Sequence, residues 1–231
     1  MEKEIEIIFE DESILVLNKP CGLVVNRSNT YKESTLQDIL DARYLREFDV
    51  ADEEFIKRSG IVHRLDKDTS GVIVVAKDPD SFYFLQKQFK ERRTFKEYIV
   101  VAHGRVGDEI IEIDAPIARN PKNPLKIAIV SDGKSAFTRL EKVRIFNKEG
   151  NSYTFCKVFP KTGRTHQIRI HLSAVGHPVA GDSIYCAKNL LKTDEEVFGR
   201  MMLHAHFLGF FNPRTHKFQR FEAPLPKEFQ I

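Results

Sequence analysis

Polar and apolar positions alternate over residues 4–9, and a compact apolar run fills 13–18. Both predict strands, closed by the turn Lys19-Pro20-Cys21-Gly22. Ser34 is placed to cap a helix running to about residue 47, with Leu36, Ile39, Leu40 and Leu45 near one face. Residues 49–58 are dense in charge and predict a surface excursion. Residues 60–66 and 72–76 predict two short strands joined by the polar segment Lys67-Asp68-Thr69-Ser70-Gly71. A helix is predicted over 80–91, with Phe84, Leu85 and Phe89 turned to the core, and strands follow over 94–103, 108–113, 125–131, 136–146 and 153–159. Thr165 is placed to cap a helix to Val175, ended by Gly176 and His177-Pro178. Two last strands cover 201–211 and 217–221. The strands outnumber the helices without alternating with them, which predicts an α+β fold on a largely antiparallel or mixed sheet.

The 231 residues suit one large domain or two small lobes, and 42% hydrophobic content is enough to build a core. No run approaches the ~20 apolar residues of a membrane span. The opening Met1-Glu2-Lys3-Glu4 lacks the form of a secretion signal, so neither secretion nor membrane insertion is expected. Cys21, Cys156 and Cys186 lie far apart with no CxxC, which favours a reducing cytosol over a disulfide framework. Net charge is only +3. Its distribution is uneven: residues 1–60 hold 8 Lys/Arg against 14 Asp/Glu, so the remainder is basic. That permits a nucleic-acid partner and fits a scattered surface charge equally well.

The most polar spot among apolar neighbours is His63-Arg64-Leu65-Asp66-Lys67-Asp68-Thr69-Ser70-Gly71. Its plainest reading is a polar turn between core strands, with Gly71 allowing the return. Asp66-Lys67-Asp68 is a weak match to haloacid-dehalogenase-type phosphatases, because His63 and Arg64 interrupt the strand before it and Ser70 stands four residues after Asp66. The hydrolase elbow Gly-x-Ser-x-Gly and the nucleotide-binding glycine loops are absent. No histidine pair has a third ligand at zinc-like spacing, so no metal site is expected. In 162–172, Arg169 lies beside the apolar stripe Ile168, Leu172, Val175, where its guanidinium could reach a buried carboxylate or remain solvated. Lys87, Lys90, Arg92, Arg93 and Lys96 place five cations in ten residues against Glu91 alone, either a solvated face or a track for phosphates.

Together these residues resemble the RluA-type pseudouridine synthases. The match to that family's central motif is full over 63–71, His-Arg-Leu-Asp-x-x-Thr-Ser-Gly. Asn18-Lys19-Pro20-x-Gly22 resembles the first motif, and Lys96-x-Tyr98 running to Gly104 the second strand. Gly163-Arg164-Thr165-His166-Gln167-Ile168-Arg169, Gly176-His177-Pro178 and Gly181-Asp182 resemble the third, and Leu203-His204-Ala205 with Ala223-Pro224-Leu225-Pro226 the end. Cys186, Asn212 and His216 depart from it, standing where Gly, His and a turn Gly are usual.

The resemblance implies the pseudouridine synthase fold: a central mixed, mostly antiparallel sheet flanked by helices, with an active-site cleft across it. It implies a single catalytic domain over 1–231 without an N-terminal RNA-binding appendage. The activity implied is isomerisation of uridine to pseudouridine in RNA, with neither cofactor nor metal. Asp66 is then the essential carboxylate, Arg169 its positive partner, and Tyr98 a ring for the extruded uracil. His63, Arg64, Lys87, Lys90, Arg92, Arg93, Lys96 and Arg164 are expected to contact RNA. The expected partner is a ribosomal or transfer RNA stem-loop, met by a cytoplasmic monomer. Competing readings are an RNA-binding module without chemistry and a metal-dependent phosphatase or nuclease using Asp66 and Asp68.

Overall fold

The computed structural model describes residues 5–43, 52–121 and 123–231. Along the chain run β1 (Glu6–Glu10), β2 (Ile14–Lys19), α1 (Leu36–Arg43), α2 (Glu53–Arg58), β3 (Ser70–Ala76) and α3 (Pro79–Lys90). Then come β4 (Phe95–His103), β5 (Ile110–Asp114), β6 (Ile117–Asn120), β7 (Asn123–Ile129), β8 (Phe137–Lys148) and β9 (Asn151–Pro160). The chain finishes with α4 (Gln167–Ala174), α5 (Lys188–Phe198), β10 (Leu203–Phe211), β11 (Phe218–Glu222) and a short 3-10 turn at Lys227–Phe229. This is the expected α+β class.

Two compact units divide the chain. The first takes the described residues of Met1–Phe95 together with Ala205–Pro224. In it β2 pairs antiparallel with both β1 and β3, and β10 with β11. All seven residues of β3 and all but one of β2 are buried. A strand covered on both faces needs apolar side chains on both, so residues 14–17 and 72–76 read as unbroken apolar runs. Phe55 of α2 and Phe82 of α3, both fully buried, meet edge to face at 5.8 Å.

The second unit takes Lys96–His204 and Leu225–Ile231. Its strands run β4-β9-β8-β5, each ladder antiparallel, with β6 and β7 as a separate hairpin. β4 again faces core on both sides. Val100 and Ala102 join one cluster with Ile168, Leu172 and Val179, while Ile99 and Val101 join another with Tyr153, Ala180 and Phe198. That alternation is the strand's period of two.

Several expectations need correction. α1 is entered through Thr35, not Ser34: Thr35 N and Oγ1 donate to Asp38 Oδ2 at 2.8 and 2.6 Å, and Asp38 N donates back to Thr35 Oγ1 at 3.2 Å. This reciprocal arrangement is a capping box, which Ser34 is one residue too early to form. The expected end of that helix near residue 47, and Leu45 with it, lie outside the described residues. The charged 49–58 stretch contains α2, capped by Asp52, which accepts from Phe55 N at 2.8 Å. Residues 60–66 form no strand; Ile61 makes a single bridge to Val75. In α3 it is Phe82 and Leu85 that are fully buried, while Phe84 and Phe89 are half-exposed. Thr165 does not cap α4; His166 holds that place with φ 53° and no side-chain cap. Val175 faces solvent rather than core, at 38% exposure. β6 and α5 went unforeseen. His216 takes φ 53°, the left-handed region in which a turn glycine would be usual.

Candidate active site

In the first unit the 63–71 segment is a loop held from beneath. The side chain of Lys19, at the end of β2, is fully buried, and its Nζ donates to the carbonyls of Pro20, Leu23 and Lys67 at 2.9, 2.8 and 3.0 Å. Gly22 N also donates to Lys67 O at 2.9 Å, and Cys21 Sγ reaches Asp68 O at 3.1 Å. The 19–23 turn therefore grips the two residues that follow Asp66. The tight turn from Asp66 O to Thr69 N (3.2 Å) is followed by buried Thr69 and Ser70. Gly71 then turns into β3 with φ 116°, and a Cβ there would lie 2.1 Å from Ala205 O, so only glycine fits.

The loop presents Asp66 half-buried and Arg64 exposed. His63 is committed to the frame: its ring stacks on Phe89 at 4.5 Å, and its Nε2 accepts from Val74 N at 3.1 Å. An accepting Nε2 puts the proton of the neutral ring on Nδ1. Lys87, Lys90, Arg92 and Arg93 are exposed at the end of α3, with Glu91 between them, 4.0 Å from Lys87 and 3.8 Å from Arg93.

In the second unit, Tyr98 is half-buried on β4 and packs against the cluster that contains Ile168 and Leu172 of α4. Arg169, one helical step away, is 3% exposed. Its Nε and Nη2 donate to Asp182 Oδ2 and Oδ1 at 2.7 and 2.8 Å, a forked pair with a fully buried carboxylate. Asp182 Oδ1 also accepts from Ile184 N and Tyr185 N at 2.9 and 3.2 Å. The guanidinium lies 5.3 Å from the Tyr185 ring centroid. The carboxylate expected beside Arg169 is Asp66; within the second unit the carboxylate it holds is Asp182, hinted at only by its place in the Gly181-Asp182 motif.

The turn before α4 is organised by Gln167 rather than Thr165. Its Oε1 accepts from Thr162 Oγ1 and Arg164 N at 2.6 and 3.1 Å, and its Nε2 donates to Phe137 O and Thr138 Oγ1 at 2.9 and 3.0 Å. Arg164 is exposed and donates from Nε to Ser135 O at 3.3 Å, while Lys96 Nζ donates to Thr162 O at 3.2 Å. Both lie beside the 162–167 turn.

Among the described residues, one set of side chains has metal-ligand character: His103 Nε2, Cys186 Sγ and the Asp194 carboxylate lie within 4.8 Å of one another. Sequence spacing gives no sign of it. These atoms serve one another: Asp194 Oδ2 is 2.7 Å from His103 Nε2 and accepts from Gly181 N at 2.8 Å, and Tyr153 OH donates to Oδ1 at 3.0 Å. Burial and the nearby Asp194 charge push the Cys186 thiol up to about 11, so it remains protonated. The network anchors Gly181, the residue before Asp182.

Comparison with known proteins identifies the family. Residues 13–174 match the family described as RNA pseudouridylate synthase. An Aquifex aeolicus protein described as an uncharacterized RNA pseudouridine synthase is 40% identical over 230 residues, 98% of this chain and 71% of that one. The ribosomal large subunit pseudouridine synthase D of Pseudomonas aeruginosa is 37% identical over 98% of this chain and 70% of its own. The solved structure of human RNA pseudouridylate synthase domain containing 1 superposes with a TM-score of 0.77 at 29% identity, covering 97% of this chain and 84% of that one. The chain belongs to the RNA pseudouridine synthase family and is an isomerase of that kind.

Proposed function

We propose that this protein isomerises uridines of large-subunit ribosomal RNA, with Asp66 as the essential carboxylate. The observation that carries the reading is the complete 63–71 motif on a loop whose Lys67 carbonyl is gripped by a fully buried lysine. The substrate class is supported by the name of the Pseudomonas aeruginosa relative. Within the target nucleotide the N1–C1′ bond breaks, the uracil turns, and C5 bonds to C1′. The hydrogen lost from C5 is balanced by one gained at N1, so nothing is consumed. A carboxylate suits this exchange as a base or nucleophile beside cation-like charge on the sugar.

The uridine must leave its stack, at a cost of a few kcal/mol that contacts to neighbouring nucleotides offset. Tyr98 supplies a flat ring for the extruded uracil, and Arg64 fills the space the base leaves. Arg169 supplies a fixed positive charge, kept in place by Asp182. Asp66→Asn is nearly isosteric and removes the ionisable group. The variant is expected to fold and bind RNA while producing no pseudouridine. Substantial activity in a preparation free of deamidated protein overturns the assignment. Mapping pseudouridine across total RNA from cells with and without the gene tests the substrate, and losses confined to transfer RNA would reject the ribosomal reading.

A further inference from the structure

The β10–β11 hairpin carries an outward face that the catalytic loop does not explain. Side chains alternate along a strand. The pairings Phe207↔Glu222, Gly209↔Arg220 and Phe211↔Phe218 therefore put these six residues on one face, while Leu208, Phe210 and Phe221 are buried on the other. The Arg220 guanidinium lies 3.7 Å from the Phe207 ring centroid and 4.8 Å from that of Phe95. Arg93 lies 5.2 Å from Phe211, whose ring meets Phe218 at 5.4 Å. A Cβ at position 209 would come within 2.6 Å of the Phe218 ring, so Gly209 lets that ring lie across the strand. Phe218 is nonetheless 49% exposed.

The cationic end of α3 is tied to this face. Gln88 Nε2 donates to Phe211 O and Gln88 Oε1 accepts from Phe211 N, both at 2.8 Å. Lys90 and Arg92 stand exposed within a few residues of that clamp. Among the described residues of this face and the end of α3, Glu91 and Glu222 are the acidic groups, the latter 3.7 Å from His206, and the cations outnumber them. Flat rings interleaved with guanidiniums on a sheet suit unpaired nucleotides: each base has a face to stack on, and the arginines meet the phosphates.

We infer that this face is an RNA contact outside the catalytic loop, on which unpaired nucleotides of the substrate stack, with Phe218 as the platform. The inference rests on the RNA-modifying reading above and adds to it a place where the strand is held. The chain contains no tryptophan, so Phe218→Trp introduces a single reporter. Titrated with an unpaired 12-nucleotide RNA of mixed sequence, the indole should be quenched saturably. The same strand annealed to its complement should quench it several-fold less. Phe218→Ala, at an exposed position, should keep its melting temperature and lose about tenfold in affinity for the labelled single strand, the scale of one base stack removed. An indole unchanged by RNA that binds the chain, or an alanine variant of parental affinity, overturns the inference. If the variant isomerises uridine with its indole unquenched, this face fails and the enzymatic reading stands. If the indole is quenched and the parent modifies no uridine, the face stands and the enzymatic reading fails.

Discussion

Lys19 is the residue whose chemistry is least expected from its type, an ammonium with no exposed surface. It is stable there because three carbonyls replace its water, one of them from residue 67, next to Asp66. Lys19→Met fills similar space and takes the ammonium donor from all three carbonyls, leaving Lys67 O only its bond from Gly22 N, so it should cost about 2–4 kcal/mol and lower activity further by loosening the loop. Urea unfolding with single-turnover assays checks both, and a variant of parental stability would mean that water reaches the carbonyls. The same logic governs Arg169 and Asp182. Removing either member breaks a buried, forked pair, at about 3–5 kcal/mol. Arg169→Ala and Asp182→Ala should therefore melt early by similar amounts, and the double variant should be little worse than either single one. Arg169→Lys should rescue only partly, since an ammonium cannot bridge both carboxylate oxygens. Fully additive losses in a thermal melt would show that the pair is not coupled.

Helix α4 is fastened to its unit by another buried titratable group, His171. Its Nδ1 is 2.9 Å from Thr138 Oγ1 of β8 and its Nε2 is 3.0 Å from Ala115 O. Burial lowers its pKa from the ordinary 6.5, outweighing the bond to the Ala115 carbonyl that favours the charged form. The unfolded chain therefore takes up a proton below about pH 6.5 that the folded chain refuses, and stability falls as pH drops through that value. The loss between pH 7 and 5 should shrink in His171→Gln, and equal pH dependence in both proteins would remove His171 as its source. These fastenings show what an element's sequence reveals. β2, β3 and β4 are legible because their stretches covered on both faces, residues 14–17, 72–76 and 99–102, are apolar. α5 is not, because Lys188–Phe198 is mostly polar and buries only Asp194 and Phe198. Residues 60–66 look like a strand because Gly60, Ile61, Val62 and Leu65 are apolar or small, yet His63 takes the Val74 N–H that a neighbouring strand would have used. Asp66 and Gly71 are legible as a motif. Lys19 and Asp182 are not legible as partners, since they act 48 and 13 residues from the groups they hold.

Across the whole chain the net of +3 conceals an uneven distribution of charge. The acidic excess sits in the first 60 residues, and α3 brings the first strongly basic exposed surface, at its last turn. Phosphates met there would convey little sequence information, and their binding would depend on salt. Lys87 and Lys90 separate this contribution from stacking, because both are exposed and neither lies over a ring of the β10–β11 face. Reversing them together, Lys87→Glu with Lys90→Glu, should weaken binding to all RNAs alike, whatever their sequence. Each phosphate left without its cation should also make log affinity against log salt shallower by about 0.7–0.9. A face turned away from RNA would leave both affinity and slope where they were. Titrations of parent and double variant at four or more salt concentrations, with a ribosomal stem-loop and an unrelated RNA of equal length, distinguish the two. Superimposable salt plots would remove α3 from the RNA path, and a weakening confined to the ribosomal stem-loop would show that these lysines read structure rather than charge.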